Sequence, residues 1–148
     1  MDSIKPLFTA VGSVTGGRNG HGEAEDHSVS VDLSVPKAMG GPGRPNTTTP
    51  EHLFAVGYAA CFESALTTVA RRRQEQADDV AIDSLVMLVA GEDRGFNIAV
   101  ELDVSLPSID DPAKAVDLVR AAHKVCPYSN ATRGNIEVAL TANGQPVD

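Results

Sequence analysis

Apolar and polar residues alternate along one part of the chain in the way that is typical of a β-strand. Between residues 95 and 106, apolar side chains occupy every second position from Phe96 to Leu106, with mostly polar residues between them. Because successive side chains of a strand point to opposite faces, this alternation predicts a strand with one buried face. The aliphatic segment 80–90 predicts a second strand just before it.

The N-terminal third has the pattern of a hairpin followed by a loop. Residues 5–14 are predicted as a strand, and a glycine-dense turn over residues 16–20 follows, with an Asn-Gly pair that favours a hairpin. Alternating apolar residues from Val29 to Val35 predict a further half-buried strand. Residues 39–50 are rich in Gly and Pro, which predicts a long loop.

A long helix is predicted after that loop. Thr49 and Pro50 are a favourable N-cap and first helical residue, and the helix is expected to run to about Arg73. From residue 53 to residue 62 it is apolar nearly all round. This composition predicts a central helix that is covered on several sides.

A second helix and a final strand complete the prediction. The helix opens at residues 110–112, Asp-Asp-Pro, and ends at residues 126–127, because proline cannot continue it. The last strand covers residues 136–140. Strands that come in runs, with two helices between them, favour an antiparallel α+β fold.

Composition supports one domain over residues 1–148. A chain of 148 residues with 42% hydrophobic residues can bury one core without disulfides or a structural metal. Its formal net charge of −8 disfavours nucleic-acid binding. The N-terminus does not read as a signal peptide, and no uninterrupted apolar run approaches about 18 residues. A cytoplasmic protein that does not act on membranes is therefore predicted.

The chain has two cysteines, and their predicted surroundings differ. Cys61 lies far from the N-terminus of its helix, so burial raises its pKa and it needs a nearby cation to become reactive. Cys126 lies at a helix C-terminus, where the dipole disfavours a thiolate. If both react, Cys61 attacks and Cys126 resolves. Spacing alone, however, favours two inert cysteines that pack as small apolar side chains.

Other polar residues give weaker signals when taken singly. Arg18, in the glycine-rich turn, is either a solvated turn residue or a side chain that folds over a site. Glu51, in the first turn of the long helix, is favoured by the helix dipole or orients an arginine. The histidines lack metal-site spacing, and the glycine-rich stretches match no phosphate-binding or dinucleotide-binding loop. No metal and no nucleotide is predicted.

Two stretches, residues 50–62 (PEHLFAVGYAACF) and 125–135 (VCPYSNATRGN), read together as a signature. With Leu-Phe-Thr-Ala at 7–10 and Thr-Gly-Gly-Arg at 15–18, the chain closely resembles the organic hydroperoxide resistance proteins of the osmotically inducible protein C superfamily. The resemblance covers residue 5 to about residue 142. It departs at His52, where Gln is common, and in the acidic segment 20–27, which leaves the substrate preference open.

The resemblance implies a bacterial thiol peroxidase that reduces alkyl and fatty-acid hydroperoxides. It implies an intertwined homodimer, in which antiparallel sheets from both chains enclose two long central helices. By this resemblance Cys61 is the peroxidatic cysteine and Cys126 the resolving one. Arg18 activates the thiolate, and Glu51 orients Arg18.

The resemblance also implies how the enzyme is recycled. An external dihydrolipoyl group, free or on a lipoylated protein, reduces the Cys61–Cys126 disulfide, and no cofactor is bound. The osmotically inducible branch of the superfamily is a near alternative with the same chemistry. A different class of function is a non-catalytic dimer that binds a small apolar or lipid-like ligand, with both cysteines buried and inert.

Two spatial questions remain open at the level of sequence. Ten residues on a straight helix separate Glu51 from Cys61 by about 15 Å. Either the partner chain supplies Arg18 and Glu51, or residue 51 lies on irregular backbone. Five aromatic residues either line an apolar pocket or belong to the core: Phe8, Phe54, Tyr58, Phe62 and Phe96.

Overall fold

Contacts within the chain fall into two groups, and the boundary between the groups is at the start of the long helix. The structure is a computed structural model that describes residues 3–93 and 95–148. Its contacts divide the chain into an N-terminal unit, Met1–Pro50, and a C-terminal unit, Glu51–Asp148. The predicted single domain over residues 1–148 stays a prediction.

The N-terminal unit is a small antiparallel sheet with the strand order β1-β2-β3. Strands β1 (Gly12–Thr15) and β2 (His21–Ala24) form a hairpin across the predicted glycine-dense turn, and β2, not the strand predicted over 29–35, is the partner of β1. Its turn is tight, since a Cβ on Gly20 would lie 1.7 Å from the Thr15 carbonyl oxygen, and Gly16 has a φ of 77°. Glycine is therefore required in this turn, which places Arg18 on a single 3₁₀ turn at its tip.

The other elements of this unit differ in part from the prediction. The strand predicted over 5–14 begins only at Gly12, and the one predicted over 29–35 is confined to β3, Ser30–Asp32. Strand β2 was not predicted, because the alternation rule finds no apolar period in His-Gly-Glu-Ala. The backbone N–H and C=O groups of a strand also need hydrogen-bond partners on a neighbouring strand. Apolar alternation does not reveal where that neighbouring strand ends, so it does not fix the ends of the predicted strand.

The predicted loop is confirmed, and side chains hold it in place. Between β3 and the first α-helix the chain forms turns and one short 3₁₀ segment, Lys37–Met39. The Arg44 guanidinium donates hydrogen bonds to the carbonyl oxygens of Leu33 at 2.7 Å and Asn19 at 3.1 Å. These bonds connect the loop to the end of β3 and to the turn that carries Arg18.

Helix α1 spans Pro50–Arg72, in agreement with the predicted start and to within one residue of the predicted end. One stripe of the helix is left exposed, so the prediction of cover on several sides is met in part. Leu53 is 41% and Val56 72% exposed, and both lie on one stripe of the helix. Among the described residues, α1 is the one helix long and apolar enough to cross a bilayer, a test that buried core helices also pass.

The C-terminal unit contains a four-stranded mixed sheet with the order β4-β5-β6-β7. Its strands are β4 (Ala81–Ala90), β5 (Phe96–Ser105), β6 (Val138–Ala142) and β7 (Gln145–Val147). The first and last pairs are antiparallel, whereas β5 and β6 are parallel. The predicted α+β class is confirmed, with one parallel pair because two helices cross over between β5 and β6.

The crossover contains one predicted and one unpredicted helix. Helix α2 spans Pro112–Val125, and its N-cap Asp111 accepts a hydrogen bond from the Ala113 N–H at 3.0 Å. Helix α3, Pro127–Thr132, is not predicted from the sequence, where Pro127 marks only the end of α2. Proline is equally favourable as the first residue of a new helix, so Pro127 both ends α2 and begins α3.

One apolar cluster joins α1, α2 and the inner face of the sheet. The alternation predicted for β5 is confirmed from Val100 onward, since Val100, Leu102 and Val104 are buried while Glu101 and Asp103 are exposed, but it is wrong at the start of the strand, where Phe96 is 74% exposed. Tyr58 and Phe62 bring one face of α1 into the same cluster. This core fixes α1 relative to the α2–α3 connection, where the second cysteine lies.

Candidate active site

The two cysteines lie side by side in the C-terminal unit, although 65 positions separate them in the sequence. Cys61 lies in the middle of α1, and Cys126 occupies the junction between α2 and α3. Their Sγ atoms are 3.5 Å apart and both thiols are free. A disulfide requires about 2.05 Å between the sulfurs, so a small approach of the two side chains would allow the bond to form.

The two thiols differ in their access to solvent. Cys126 is 0% exposed, whereas Cys61 is partly exposed. Cys61 is therefore the more accessible of the two thiols, and the roles expected for the two cysteines stay a prediction.

Burial is the main influence on the reactivity of Cys61. It raises the pKa of the Cys61 thiol, and the neighbouring sulfur of Cys126 raises it further. The backbone N–H of Tyr128 hydrogen-bonds to the sulfur and lowers the pKa, but burial outweighs it. The expectation that Cys61 needs a cation to become a thiolate therefore agrees with its surroundings.

The surroundings of Cys126 are more complex than predicted. The residue ends α2, with its N–H bonded to the Ala122 carbonyl at 2.9 Å, and it is also the N-cap of α3. The prediction considered only the unfavourable dipole at the end of α2. Because α3 begins directly after Cys126, the position of this short helix decides where the second sulfur lies.

A buried hydroxyl network connects α1 to α3 beside the thiols. The Tyr58 hydroxyl is 2.8 Å from Ser129 Oγ and 3.3 Å from Thr132 Oγ1. All three side chains are buried. The sequence signature VCPYSNAT contains Ser129 and Thr132, but periodicity could not single them out, because a hydroxyl residue gives no signal of its own until its partner is known.

Three aromatic rings form a cluster on the face of α1 that carries Cys61. Phe54 stacks on Tyr58 with 5.8 Å between ring centroids, and Tyr128 lies 5.8 Å from Phe54 and 5.7 Å from Tyr58. Spacing by four and then three residues places Phe54, Tyr58 and Cys61 on one helix face. Tyr128, which contributes both a ring and a backbone donor, was not predicted as a site residue.

The other aromatic residues proposed for a pocket do not join this cluster. Phe62 is 0% exposed and belongs to the core, where its ring faces His123 at 6.5 Å. Phe96 lies on β5 and is 74% exposed, and Phe8, in the N-terminal unit, is 85% exposed. Of the five candidates, Phe54 and Tyr58 lie on the helix face that carries Cys61.

Arg18 and Glu51 lie in different units. Arg18 is an exposed residue of the 3₁₀ turn in the N-terminal unit. Glu51 is in the first turn of α1, so the alternative that residue 51 lies on irregular backbone is wrong. Ten residues of continuous helix separate Glu51 from Cys61 by about 15 Å.

The histidines pair with carboxylates or lie apart from one another. His21 Nδ1 is 2.8 Å from Asp32 Oδ1, and His27 Nδ1 is 3.0 Å from Glu23 Oε1. Burial lowers the pKa of His123, and the nearby Arg133 lowers it further. Within residues 3–93 and 95–148, no three His, Cys, Asp or Glu side chains are grouped so that they could hold a metal ion.

Comparisons with known proteins assign the chain to a family. The model of the OsmC-like protein family matches residues 41–141, a segment that includes both cysteines and all three helices. An organic hydroperoxide resistance protein of Xanthomonas axonopodis pv. citri is 46% identical over 140 residues, covering 93% of this chain and 95% of the relative. The chain belongs to the organic hydroperoxide resistance proteins of the OsmC-like family.

Solved structures support the assignment of this OsmC-like protein. An organic hydroperoxide resistance protein of Legionella pneumophila matches with a TM-score of 0.86 and 45% identity, over 92% of this chain and 97% of that one. The OhrB protein of Bacillus subtilis matches with a TM-score of 0.83 and 45% identity, over 91% and 98% of the two chains. The predicted family and fold are therefore confirmed.

Proposed function

We propose that this OsmC-like protein is a cysteine-based peroxidase that reduces organic hydroperoxides to alcohols. The observation that carries the proposal is the 3.5 Å separation of the Cys61 and Cys126 sulfurs, with the first partly exposed and the second buried. The family membership supports a role in resistance to organic hydroperoxides. Two inert cysteines would not require this pairing.

The chemistry proceeds in two steps, an oxidation of Cys61 by the hydroperoxide and a condensation of the two cysteines. The Cys61 thiolate attacks one oxygen of the hydroperoxide, the O–O bond breaks, and the departing alkoxide takes a proton to become the alcohol. Cys61 is now a sulfenic acid. The Cys126 sulfur then attacks the Cys61 sulfur, water leaves, and a disulfide forms before peroxide can oxidise Cys61 further.

Activation of Cys61 is assigned to Arg18. Burial raises the pKa of the Cys61 thiol, so the reactive thiolate needs a positive charge beside it. A guanidinium would stabilise both the thiolate and the alkoxide that leaves. Glu51 would fix the plane of that guanidinium by a bidentate ion pair.

We assign Arg18 and Glu51 to the partner chain of a homodimer. Glu51 lies about 15 Å along α1 from Cys61 of its own chain, too far to share one site directly. The apolar stripe of α1 that includes Leu53 and Val56 is open to solvent in the single chain. A second copy packed against this stripe would cover it and could bring its own Arg18 and Glu51 to Cys61.

The disulfide is reopened by an external dithiol. A dihydrolipoyl group, free or attached to a protein, is the proposed donor, because a dithiol exchanges twice and leaves as a cyclic disulfide. On this proposal the protein binds no cofactor and acts in the bacterial cytoplasm. The aromatic cluster of Phe54, Tyr58 and Tyr128 would favour alkyl hydroperoxides over hydrogen peroxide.

The proposed activity is tested by steady-state turnover of the purified protein. Consumption of an alkyl hydroperoxide is measured with dihydrolipoamide as the reductant, and hydrogen peroxide is the comparison substrate. Faster turnover of the alkyl hydroperoxide is expected. If the fully reduced protein consumes neither peroxide and both thiols alkylate slowly at neutral pH, the proposal fails in favour of a non-catalytic ligand-binding protein.

The shared site is tested with mixed dimers. Cys61→Ser and Arg18→Ala chains are each expected to be inactive, whereas a heterodimer of the two contains one Cys61 facing one intact Arg18 across the interface. Unfolding and refolding the two together should therefore restore up to about half of the activity per heterodimer. A mixture that stays inactive, although light scattering and tagged pull-down show heterodimers, would place both residues in the same chain.

A further inference from the structure

We propose that Tyr58 is a positioning residue whose hydroxyl holds α3 against α1, so that the Cys126 thiol and the Tyr128 N–H both face Cys61. The inference rests on the proposed function, since it assigns Tyr58 to the resolving step of the same reaction. It is carried by the geometry of the buried hydroxyl network that joins the two helices.

Each of the three hydroxyls in the network has a hydrogen-bond partner inside the protein. Tyr58 and Ser129 are both 0% exposed, and Thr132 is 7% exposed. The Thr132 hydroxyl donates to the Tyr128 carbonyl at 2.9 Å, so its oxygen is available to accept from Tyr58. Tyr58 can in turn accept from Ser129 at 2.8 Å. A buried hydroxyl without a partner is costly, so these bonds strongly favour one placement of α3.

The placement of α3 controls both contacts to Cys61. Cys126 immediately precedes this six-residue helix, and Tyr128 is its second residue. Tyr58 is one helical turn before Cys61 on α1, so the network lies beside the thiols. If α3 shifted away from α1, the 3.5 Å separation of the sulfurs would lengthen and the hydrogen bond from the Tyr128 N–H would weaken.

The hydroxyl of Tyr58 can be separated from its ring. The ring packs on Phe54 and Tyr128, and a phenylalanine would keep these contacts. Tyr58→Phe therefore removes only the hydrogen bonds to Ser129 and Thr132. Ser129→Ala removes one of the same bonds from the other helix, and it serves as the second variant if Tyr58→Phe does not fold.

The first readout is the thiol–disulfide equilibrium of the dimeric protein with reduced and oxidised dithiothreitol. It measures how readily Cys61 and Cys126 pair and needs no peroxidase activity. Tyr58→Phe and Ser129→Ala are expected to shift the equilibrium toward the dithiol by about tenfold, because misplacement of reacting atoms lowers their effective concentration strongly. Thr132→Ser keeps the hydroxyl and should behave like the unchanged protein.

The second readout is the fate of Cys61 after treatment with an alkyl hydroperoxide in the absence of reductant. Intact-mass analysis should find more sulfinic acid and less disulfide in Tyr58→Phe than in the unchanged protein, because slower resolution leaves the sulfenic acid exposed to peroxide. A matched control is Thr68→Val, which removes a hydroxyl that bonds to the Ser64 carbonyl within α1 at 2.9 Å.

Thr68→Val should leave both readouts unchanged. The inference is overturned if folded Tyr58→Phe and Ser129→Ala pair their thiols as readily as the unchanged protein. It is also overturned if Thr68→Val shifts the equilibrium equally, since a general loss of stability would then explain the effect. Failure of the peroxidase itself is recognised separately, as absence of hydroperoxide consumption in the unchanged protein.

Discussion

The two units of this chain contrast in how they hold their candidate site residues. Among the described residues, every buried hydrophobic side chain except Leu33 lies in the C-terminal unit. That unit packs two helices on a sheet and holds two sulfurs 3.5 Å apart. The N-terminal unit is three short strands, and it presents Arg18 on an exposed turn made of glycines.

This contrast shows that positioning and activation have opposing physical requirements. A packed core positions side chains to a fraction of an ångström, but the same burial disfavours a charged thiolate. Accordingly, the pKa of the Cys61 thiol is raised where it is best positioned. An arginine on an exposed turn keeps its charge with little desolvation cost.

Replacement of Cys61 by Ser should have the largest effect on activity. A serine hydroxyl at this position is not ionised, so hydroperoxide consumption should fall by at least about 10³-fold. The measurement is the initial rate of alkyl hydroperoxide consumption with excess dihydrolipoamide. Cys126→Ser, as the comparison, should still form sulfenic acid once per chain, and substantial turnover by Cys61→Ser would contradict the role of Cys61.

Arg18→Ala tests the contribution of the N-terminal unit. We expect kcat/KM to fall by about 10²–10³-fold, as for other donors that stabilise developing negative charge. Because Arg18 lies on a turn outside the apolar core, loss of its proposed ion pair should change the free energy of unfolding by no more than about 1 kcal/mol. Both quantities are measured on one preparation, by peroxide assay and urea titration. A large loss of stability with little loss of activity would show that Arg18 stabilises the fold and does not activate Cys61.

Truncation of one apolar side chain in each unit should show how differently the two units contribute to the free energy of unfolding. Leu66 is 0% exposed in the core, so Leu66→Ala should lower the free energy of unfolding by about 2–5 kcal/mol. Val14, on β1, is 60% exposed, and Val14→Ala should cost less than about 0.5 kcal/mol. Urea denaturation followed by circular dichroism measures both. Equal losses would mean that β1 is covered by another surface in solution.

The pH dependence of thiol alkylation tests the influence of the second sulfur. The neighbouring Cys126 raises the pKa of Cys61, so Cys126→Ala should lower it and increase the thiolate fraction at any pH below that pKa. The rate of iodoacetamide modification at pH 8 should therefore increase. When the comparison is repeated in the Arg18→Ala protein, the effect of Cys126 on the pKa of Cys61 is measured without the Arg18 guanidinium. An unchanged or slower rate would show that burial alone sets the reactivity.

The smallest expected effect lies on the surface of the N-terminal unit. The hydrogen bond to Asp32 raises the pKa of His21 above its ordinary value, with Glu23 contributing further. Any stabilisation from this pair is therefore present at pH values below about 6.5 and is lost as pH rises through the folded-state pKa. An NMR titration should find a raised midpoint that Asp32→Asn lowers, and no change would contradict the pairing.

The sequence by itself determined the elements whose signals are local. Thr49-Pro50 marks the start of α1, Asp111-Pro112 marks the start of α2, and the alternation of β5 marks its buried face. These signals come from capping, from the missing N–H of proline and from side-chain period, which depend on a few neighbouring residues. The signature around the two cysteines likewise identified the family, which the comparisons confirm.

Only the tertiary structure decided what depends on residues far apart in the chain. The approach of Cys61 and Cys126, the parallel pairing of β5 with β6 and the bonds from Tyr58 to α3 all join segments tens of residues apart. No local pattern encodes such contacts, because each residue obtains its partner only when the core packs. Burial then decides the chemistry, since the same packing that brings the two thiols together raises the pKa of Cys61.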